Sequence, residues 1–346
     1  MKKVTSIIAV VLVLTLTACE QHSVNKSSEG FVSTQSWDTE SSSDIQPESR
    51  SQSIFSSLEN SDSISKTETK EDGMRTETYY IDNDDRIIAY IPNGITTSAD
   101  GTVPMVLNLH WTGGTPEEQV SENGWIELAE KERFITIAPF YGSYDSVYNH
   151  TEHFANIVRD AYTRYPFIDK SRVYVTGFSN GGAAAVALTS QYPELFAAIA
   201  PQGWMVGMRD RSKAANFDMP FQIIQGNNEY TYTTDSGAPA IMTDEQAALR
   251  DLMLFNEMIN ESSSADYNKT AYWGYPSNDV FIMEFEEKKW EVSNYFKQGY
   301  TVPFGQLILV EDGIHWARKP HAQLAWEFMK HFRRNEKGII VQIYDN

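Results

Sequence analysis

A serine on a glycine-flanked corner, a carboxylate some fifty residues later and a histidine near the end of the chain could together carry out nucleophilic chemistry. Ser179 lies in Gly177-Phe178-Ser179-Asn180-Gly181, a G-x-S-x-G pattern in which small neighbours let the backbone turn sharply and lift the hydroxyl clear. A serine hydroxyl is a weak nucleophile until a base takes its proton, and the base must itself be oriented by a third group. His315, in Asp312-Gly313-Ile314-His315-Trp316, is the candidate base. His321 is the rival, but it opens a helix that would dictate its direction. His110 precedes the serine and reads as a structural histidine. For the acid the candidates are Glu229, Asp235 and Asp218. Glu229 is the best anchored, three residues beyond Gly226.

The charge that forms during attack on a carbonyl needs donors. The Asn180 N–H is one, at the start of a helix whose terminus carries partial positive charge. The second is expected in His110-Trp111-Thr112-Gly113-Gly114, from Thr112 or from Trp111, with Thr112 favoured. Trp111, Tyr141, Trp204 and Trp316 each follow a strand end or a candidate catalytic residue, and are expected to wall a binding cleft. His150 and His153 have no carboxylate or third histidine at metal-ligand spacing, so they read as surface residues and no metal is expected. The pattern implies no cofactor.

These side chains need a scaffold that aims them to one place. Val173-Tyr174-Val175 before the serine corner and the alanine-rich run after it read as strand, elbow and helix. Pro104 to Leu109, Phe134 to Pro139, Ala197 to Pro201, Phe221 to Ile224 and Leu307 to Val310 are short apolar runs of the buried-strand type. Each is followed by polar or glycine-containing residues. Between them, Glu117 to Arg133, His153 to Tyr165, Glu245 to Ile259 and Pro320 to Arg334 carry helical patterns. Glu77 to Ile81 and Arg86 to Ile91, joined by Asp82-Asn83-Asp84-Asp85, predict an antiparallel hairpin. Trp273, Tyr275, Trp290 and Tyr295 fall in what reads as an insertion of paired strands, and suit either a platform for a ring or packing over the sheet edge.

The first residues address the chain. Lys2 and Lys3 precede an apolar stretch, Val4 to Leu16, too short to span a bilayer as a mature helix. Leu16-Thr17-Ala18-Cys19 follows, and is similar to a bacterial lipobox. That resemblance implies lipidation of Cys19, the one cysteine of the chain, and a lipoprotein tethered to the outer face of the cell membrane. No intrachain disulfide can form. Residues 20–73 are rich in Ser, Thr, Asp and Glu with few large apolar residues and predict a disordered tether, leaving 74–346 as one folded domain. Of 346 residues, 28 are Lys or Arg and 47 are Asp or Glu, a net charge of −19. So acidic a chain gives no basis for a nucleic-acid partner and repels a bare anionic membrane, leaving the lipid anchor as its membrane contact.

Tyr174-Val-Thr-Gly-Phe-Ser-Asn-Gly-Gly and Tyr192-Pro-Glu-Leu-Phe-Ala-Ala-Ile-Ala-Pro closely resemble the secreted poly(3-hydroxybutyrate) depolymerase and feruloyl/acetylxylan esterase group of α/β-hydrolases. The resemblance runs from about Arg86 to Arg334. It implies an α/β-hydrolase fold with a mostly parallel central sheet, the N-terminal hairpin and helices on both faces. It also implies Ser179 as nucleophile, His315 as base and Glu229 at the acid position, where aspartate is more usual. The expected reaction is hydrolysis of a carboxylic ester, on a polysaccharide or a polyester. A peptidase with the same triad, and a carbohydrate-binding lipoprotein that has lost catalysis, remain the alternatives. No oligomeric state follows from the sequence.

Overall fold

Strands buried along their whole length can satisfy their backbone and stay dry only inside a sheet covered on both faces, and four segments of this chain are of that kind. In the computed structural model, which describes residues 64–69, 73–81, 85–95, 101–142, 147–229 and 231–344, β4, β5, β7 and β8 are buried at every residue. The signal-like segment, Cys19 and the tether as far as residue 63 lie outside the described residues.

The strands in chain order are β1 (Ile64–Thr69), β2 (Met74–Ile81), β3 (Asp85–Pro92), β4 (Val103–Leu109), β5 (Ile135–Pro139), β6 (Ile168–Phe178), β7 (Ala198–Gln202) and β8 (Phe221–Gly226). They continue with β9 (Thr231–Thr233), β10 (Pro239–Ile241), β11 (Asp279–Phe285), β12 (Lys288–Tyr295), β13 (Gly305–Val310), β14 (Phe332–Arg334) and β15 (Ile340–Gln342). The helices are α1 (Pro116–Glu122), α2 (Trp125–Glu132), α3 (Thr151–Arg164), α4 (Asn180–Gln191), α5 (Arg211–Ala214), α6 (Thr243–Phe255) and α7 (Lys319–Met329).

Eleven strands form one sheet in the order β1-β2-β3-β5-β4-β6-β7-β8-β13-β12-β11. From β5 to β13 all neighbours are parallel, while β1, β2 and β3 on one flank and β12 and β11 on the other run antiparallel. Because the central strands are parallel, the loops after β4, β6, β7, β8 and β13 all leave from one edge, where open α/β sheets place their ligands.

The helices cover both faces. Phe154, Val158, Val186, Leu188, Leu249 and Leu252, from α3, α4 and α6, pack on one face with the inward residues of β4 and β6. Trp125, Leu128, Ala325, Trp326 and Met329, from α2 and α7, pack on the other. Each of the larger apolar side chains among them contributes about 1.5–3 kcal/mol when fully buried. Trp326 stacks on Phe134 with ring centroids 4.2 Å apart and donates from Nε1 to Glu132.

Three stretches depart most from the sequence expectation, beyond shifts of a few residues at other element ends such as α6, which closes at Phe255. The single helix predicted over 117–133 is two helices, because Gly124 adopts φ 79° and lets the chain turn between α1 and α2. The last helix ends at Met329 rather than Arg334, and Phe332–Arg334 pair with β15 instead. Residues 64–69, assigned to the tether by composition, form β1 and pair with β2; an edge strand is held by backbone hydrogen bonds, which composition does not reveal.

Candidate active site

β6 ends at Phe178 and α4 begins at Asn180, so Ser179 alone makes the turn. Its φ of 55° and ψ of −118° lie outside the regions favoured by L-residues, a strain of order 1–3 kcal/mol that the surroundings must hold. They hold it closely. The Ser179 N–H donates to Gln202 O at 2.9 Å, tying the corner to the end of β7. A Cβ on Gly181 would lie 2.0 Å from Leu109 O, and one on Gly177 2.5 Å from Gly181 C, so the elbow packs against β4 only because both are glycine.

His315 reaches this corner from the loop after β13. Its Nε2 is 2.8 Å from Ser179 Oγ and its Nδ1 2.7 Å from Glu229 Oε2. The Phe178 ring packs beside the imidazole at 4.7 Å between centroids. The loops bearing the acid and the histidine are joined by backbone bonds, Asn227 N–H to Val310 O at 3.1 Å and Asn228 N–H to Gly313 O at 2.8 Å.

Glu229 folds back on its own loop, accepting the Gly226 N–H on Oε1 at 2.6 Å and leaving Oε2 for His315. Burial pushes this carboxyl up, and the hydrogen bonds from His315 and Gly226 oppose it. A carboxylate accepts, so Nδ1 donates; Nε2 is then left to accept the serine proton. The other acid candidates lie elsewhere. Asp235 is exposed, in the turn between β9 and β10, and Asp218 pairs with Lys297 at 2.6 Å.

The N–H of Asn180 opens α4 beside the serine. Across from it, His110 is fully buried and holds the neighbouring turn. Its Nε2 accepts the Tyr141 N–H at 3.2 Å, so Nδ1 carries the proton and donates to Trp111 O at 2.8 Å. Burial lowers the pKa of this ring, consistent with a neutral imidazole. Since C=O and N–H of a trans peptide point opposite ways, fixing Trp111 O also fixes the direction of the Thr112 N–H.

Trp111, Thr112, Trp204 and Trp316 line a cavity of about 600 Å³ that opens onto Ser179 and His315. Tyr141, expected in its wall, is instead 2% exposed and stacks on His110 at 4.1 Å, with its hydroxyl donating to His110 O. It follows a buried strand closely and stays with the core. His321, the rival histidine, is buried against Trp290 at 5.0 Å, with its Nδ1 accepting the Arg318 N–H, and burial lowers it to about 3. Trp273, Tyr275, Trp290 and Tyr295 are all buried and pack over the sheet instead of forming a platform.

Several cavity residues are ones that sequence reasoning missed: Glu122, Asn123, Met242, Asp244 and Glu245. Glu245 is 2% exposed. It accepts the Met242 N–H at 3.1 Å and the Gln225 side-chain amide, and Gln225 in turn accepts the Tyr272 hydroxyl at 3.1 Å. Burial pushes the Glu245 carboxyl up to about 8, with like charge from Asp244 and Glu229 adding to the shift. The only sequence signal was Gln225, a polar residue next to the end of β8.

Comparison with known proteins locates this architecture. The family model for the prolyl oligopeptidase family matches residues 141–237. The sequence is 32% identical over 122 residues to the "probable acetylxylan esterase A" of Aspergillus fumigatus, covering 32% of each chain. It is 31% identical over 120 residues to a bifunctional acetylxylan esterase/xylanase of Neocallimastix patriciarum, covering 33% of this chain and 17% of that one. The chain thus matches no more than about a third of the length of these curated relatives. The solved acetyl xylan esterase from Aspergillus awamori superposes with a TM-score of 0.51 at 18% identity, covering 74% of this chain and 98% of that one. The order of the strands, the strained serine between β6 and α4 and this structural likeness give the chain an α/β-hydrolase fold.

Proposed function

We propose that this protein hydrolyses carboxylic esters through a serine acyl-enzyme. The observation that carries the reading is the continuous hydrogen-bonded relay Glu229–His315–Ser179 opening onto a substrate-sized cavity. His315 Nε2 takes the Ser179 proton as Oγ bonds to the carbonyl carbon. The oxyanion is held by the Asn180 N–H and the Thr112 or Trp111 N–H, each donor being worth about 3 kcal/mol. The imidazolium, stabilised by Glu229, gives its proton to the departing alkoxide as the C–O bond breaks. Water then enters, loses a proton to His315 and releases the acid and the free serine. The acetylxylan esterase relatives support acetyl esters attached to a polysaccharide; feruloyl esters and hydroxyalkanoate polyesters are the other candidates.

A fluorophosphonate probe should label the wild-type protein and not Ser179→Ala, and the same substitution should lower ester turnover by about 10³-fold or more. An unlabelled wild type would falsify the enzyme reading and leave a carbohydrate-binding lipoprotein. The match to the prolyl oligopeptidase family favours one second reading, a peptidase. Comparing a p-nitroanilide with the p-nitrophenyl ester of the same acyl group separates the two, and amide turnover equal to ester turnover would overturn the esterase assignment.

The proposed site of action is the outer face of the cell membrane, with Cys19 lipidated. Support comes from Lys2, Lys3, the short apolar run and Leu16-Thr17-Ala18-Cys19. Among the described residues no helix is long and apolar enough to cross a membrane. Mass spectrometry of the protein from membranes should find diacylglycerol on Cys19. Cys19→Ala should lose the modification, and an unmodified Cys19 in the wild type counts against the anchor.

A further inference from the structure

We propose that the catalytic cavity contains a hydroxyl-recognition subsite, formed by the Asn123 amide with the Glu122 and Asp244 carboxylates, which accepts esters of uncharged polyols and rejects esters that carry a carboxylate. The proposal rests on the esterase reading and names the substrate chemistry of the same site.

Asn123 is the first observation. It caps the end of α1, is 2% exposed and lines the cavity, yet its Nδ2 has no hydrogen-bond partner among the described residues. Buried donors are nearly always satisfied, and one left unpaired is destabilising until an acceptor arrives. As placed, Nδ2 is sealed from solvent; a half-turn about χ2, which leaves the backbone in place, exchanges the two amide ends and puts the donor where Oδ1 now lies.

The carboxylates are the second. Glu122 and Asp244 line the same cavity, and Asp244 is steadied by the Trp204 Nε1–H at 3.2 Å and the Glu245 N–H at 3.1 Å. Among the described lining residues there is no lysine or arginine. Ionised carboxylates only accept hydrogen bonds, whereas the amide NH₂ donates. A hydroxyl group does both, and can lie between Asn123 and a carboxylate with each satisfied. A polyester segment brings carbonyl and ether oxygens, which accept only, and leaves the carboxylates unmatched. An ester bearing its own carboxylate adds like charge to a half-enclosed space whose described lining offers no lysine or arginine to offset it. The indole faces of Trp204 and Trp316 suit the apolar faces of a sugar ring.

The test uses three acetyl esters that differ only away from the reacting bond: a monoacetylated methyl glucoside, the matching monoacetylated methyl glucuronide, and methyl 3-acetoxybutyrate. The glucoside ester should show the highest kcat/KM, by roughly tenfold or more over each of the others. Raising the salt concentration should narrow the gap to the glucuronide. Glu122→Gln with Asp244→Asn should narrow it as well, and Asn123→Ser should raise KM for the glucoside more than it lowers kcat. Equal turnover of glucoside and glucuronide esters, or ratios that the substitutions leave unmoved, overturns the subsite. Failure of the esterase reading is distinguished by titrating methyl glucoside and methyl glucuronide into Ser179→Ala and observing binding by NMR. Binding of the glucoside alone supports the subsite whatever the reaction proves to be; binding of both equally, or of neither, overturns it.

Discussion

Glu229 divides its two oxygens between tasks that a shorter side chain would have to share differently. One accepts the Gly226 N–H and fixes the carboxylate to the end of β8, and the other faces His315 Nδ1. If this carboxylate sets the imidazole tautomer, then Glu229→Gln, which keeps the shape but offers an amide donor where an acceptor is needed, should lower kcat by about 10²–10⁴. Asp235→Asn should stay within about twofold, since Asp235 is exposed in a separate turn. Steady-state kinetics on one p-nitrophenyl ester decides it, and a larger loss from Asp235→Asn would reverse the assignment. At this scale much was readable beforehand, because serine, acid and histidine follow in a fixed chain order and each stands just past an apolar run. What could not be read was the choice among Glu229, Asp235 and Asp218, which depends on side-chain reach across two loops.

At the level of elements, the serine corner exists because β4, β6 and α4 approach more closely than side chains allow. Gly181→Ala would put a Cβ 2.0 Å from Leu109 O, a backbone atom that cannot swing away. Overpacking of this kind costs about 1–3 kcal/mol, visible as a lower urea midpoint. Esterase activity should fall further than stability does, because α4 must back away from β4 and carry the Asn180 N–H with it. Normal activity in Gly181→Ala would show that the close approach is not needed for catalysis. The elbow was plain in the sequence, since a glycine-flanked serine between a β-branched run and an alanine run has few other uses. The break at Gly124 was not. One glycine inside a helical pattern is often tolerated, and only the left-handed backbone there reveals the turn that brings Asn123 to the cavity.

Across the whole molecule, buried ionisable groups make stability depend on pH in opposing ways. Glu245 holds its proton in the fold up to about pH 8, whereas in the unfolded chain a glutamate releases it near pH 4.3. Between these values the native state binds more protons than the unfolded state, so this contribution to stability is present below about pH 4 and is lost as pH rises toward 8. His321 works the other way. It stays neutral down to about pH 3 in the fold, while the unfolded imidazole takes a proton below about 6.5, so its contribution is lost as pH falls through that range. Glu245→Gln, which cannot ionise and whose single amide oxygen keeps one of the two hydrogen bonds now accepted from the Met242 N–H and the Gln225 amide, should reduce the decline on the alkaline side. Urea midpoints measured from about pH 5 to pH 8 should therefore fall less in the variant than in the wild type, and identical slopes would show that Glu245 ionises normally.

The sequence by itself determined the fold class, the serine elbow and the order of the candidate catalytic residue types, because these are recorded locally, in hydrophobic period, turn chemistry and chain order. Tertiary structure decided which carboxylate meets His315, that Tyr141 belongs to the core, and that Asn123, Asp244 and Glu245 share the cavity with Ser179. Those outcomes depend on distances between segments tens to more than a hundred residues apart, and such distances are set by the packing of the sheet and its helices rather than by any local pattern.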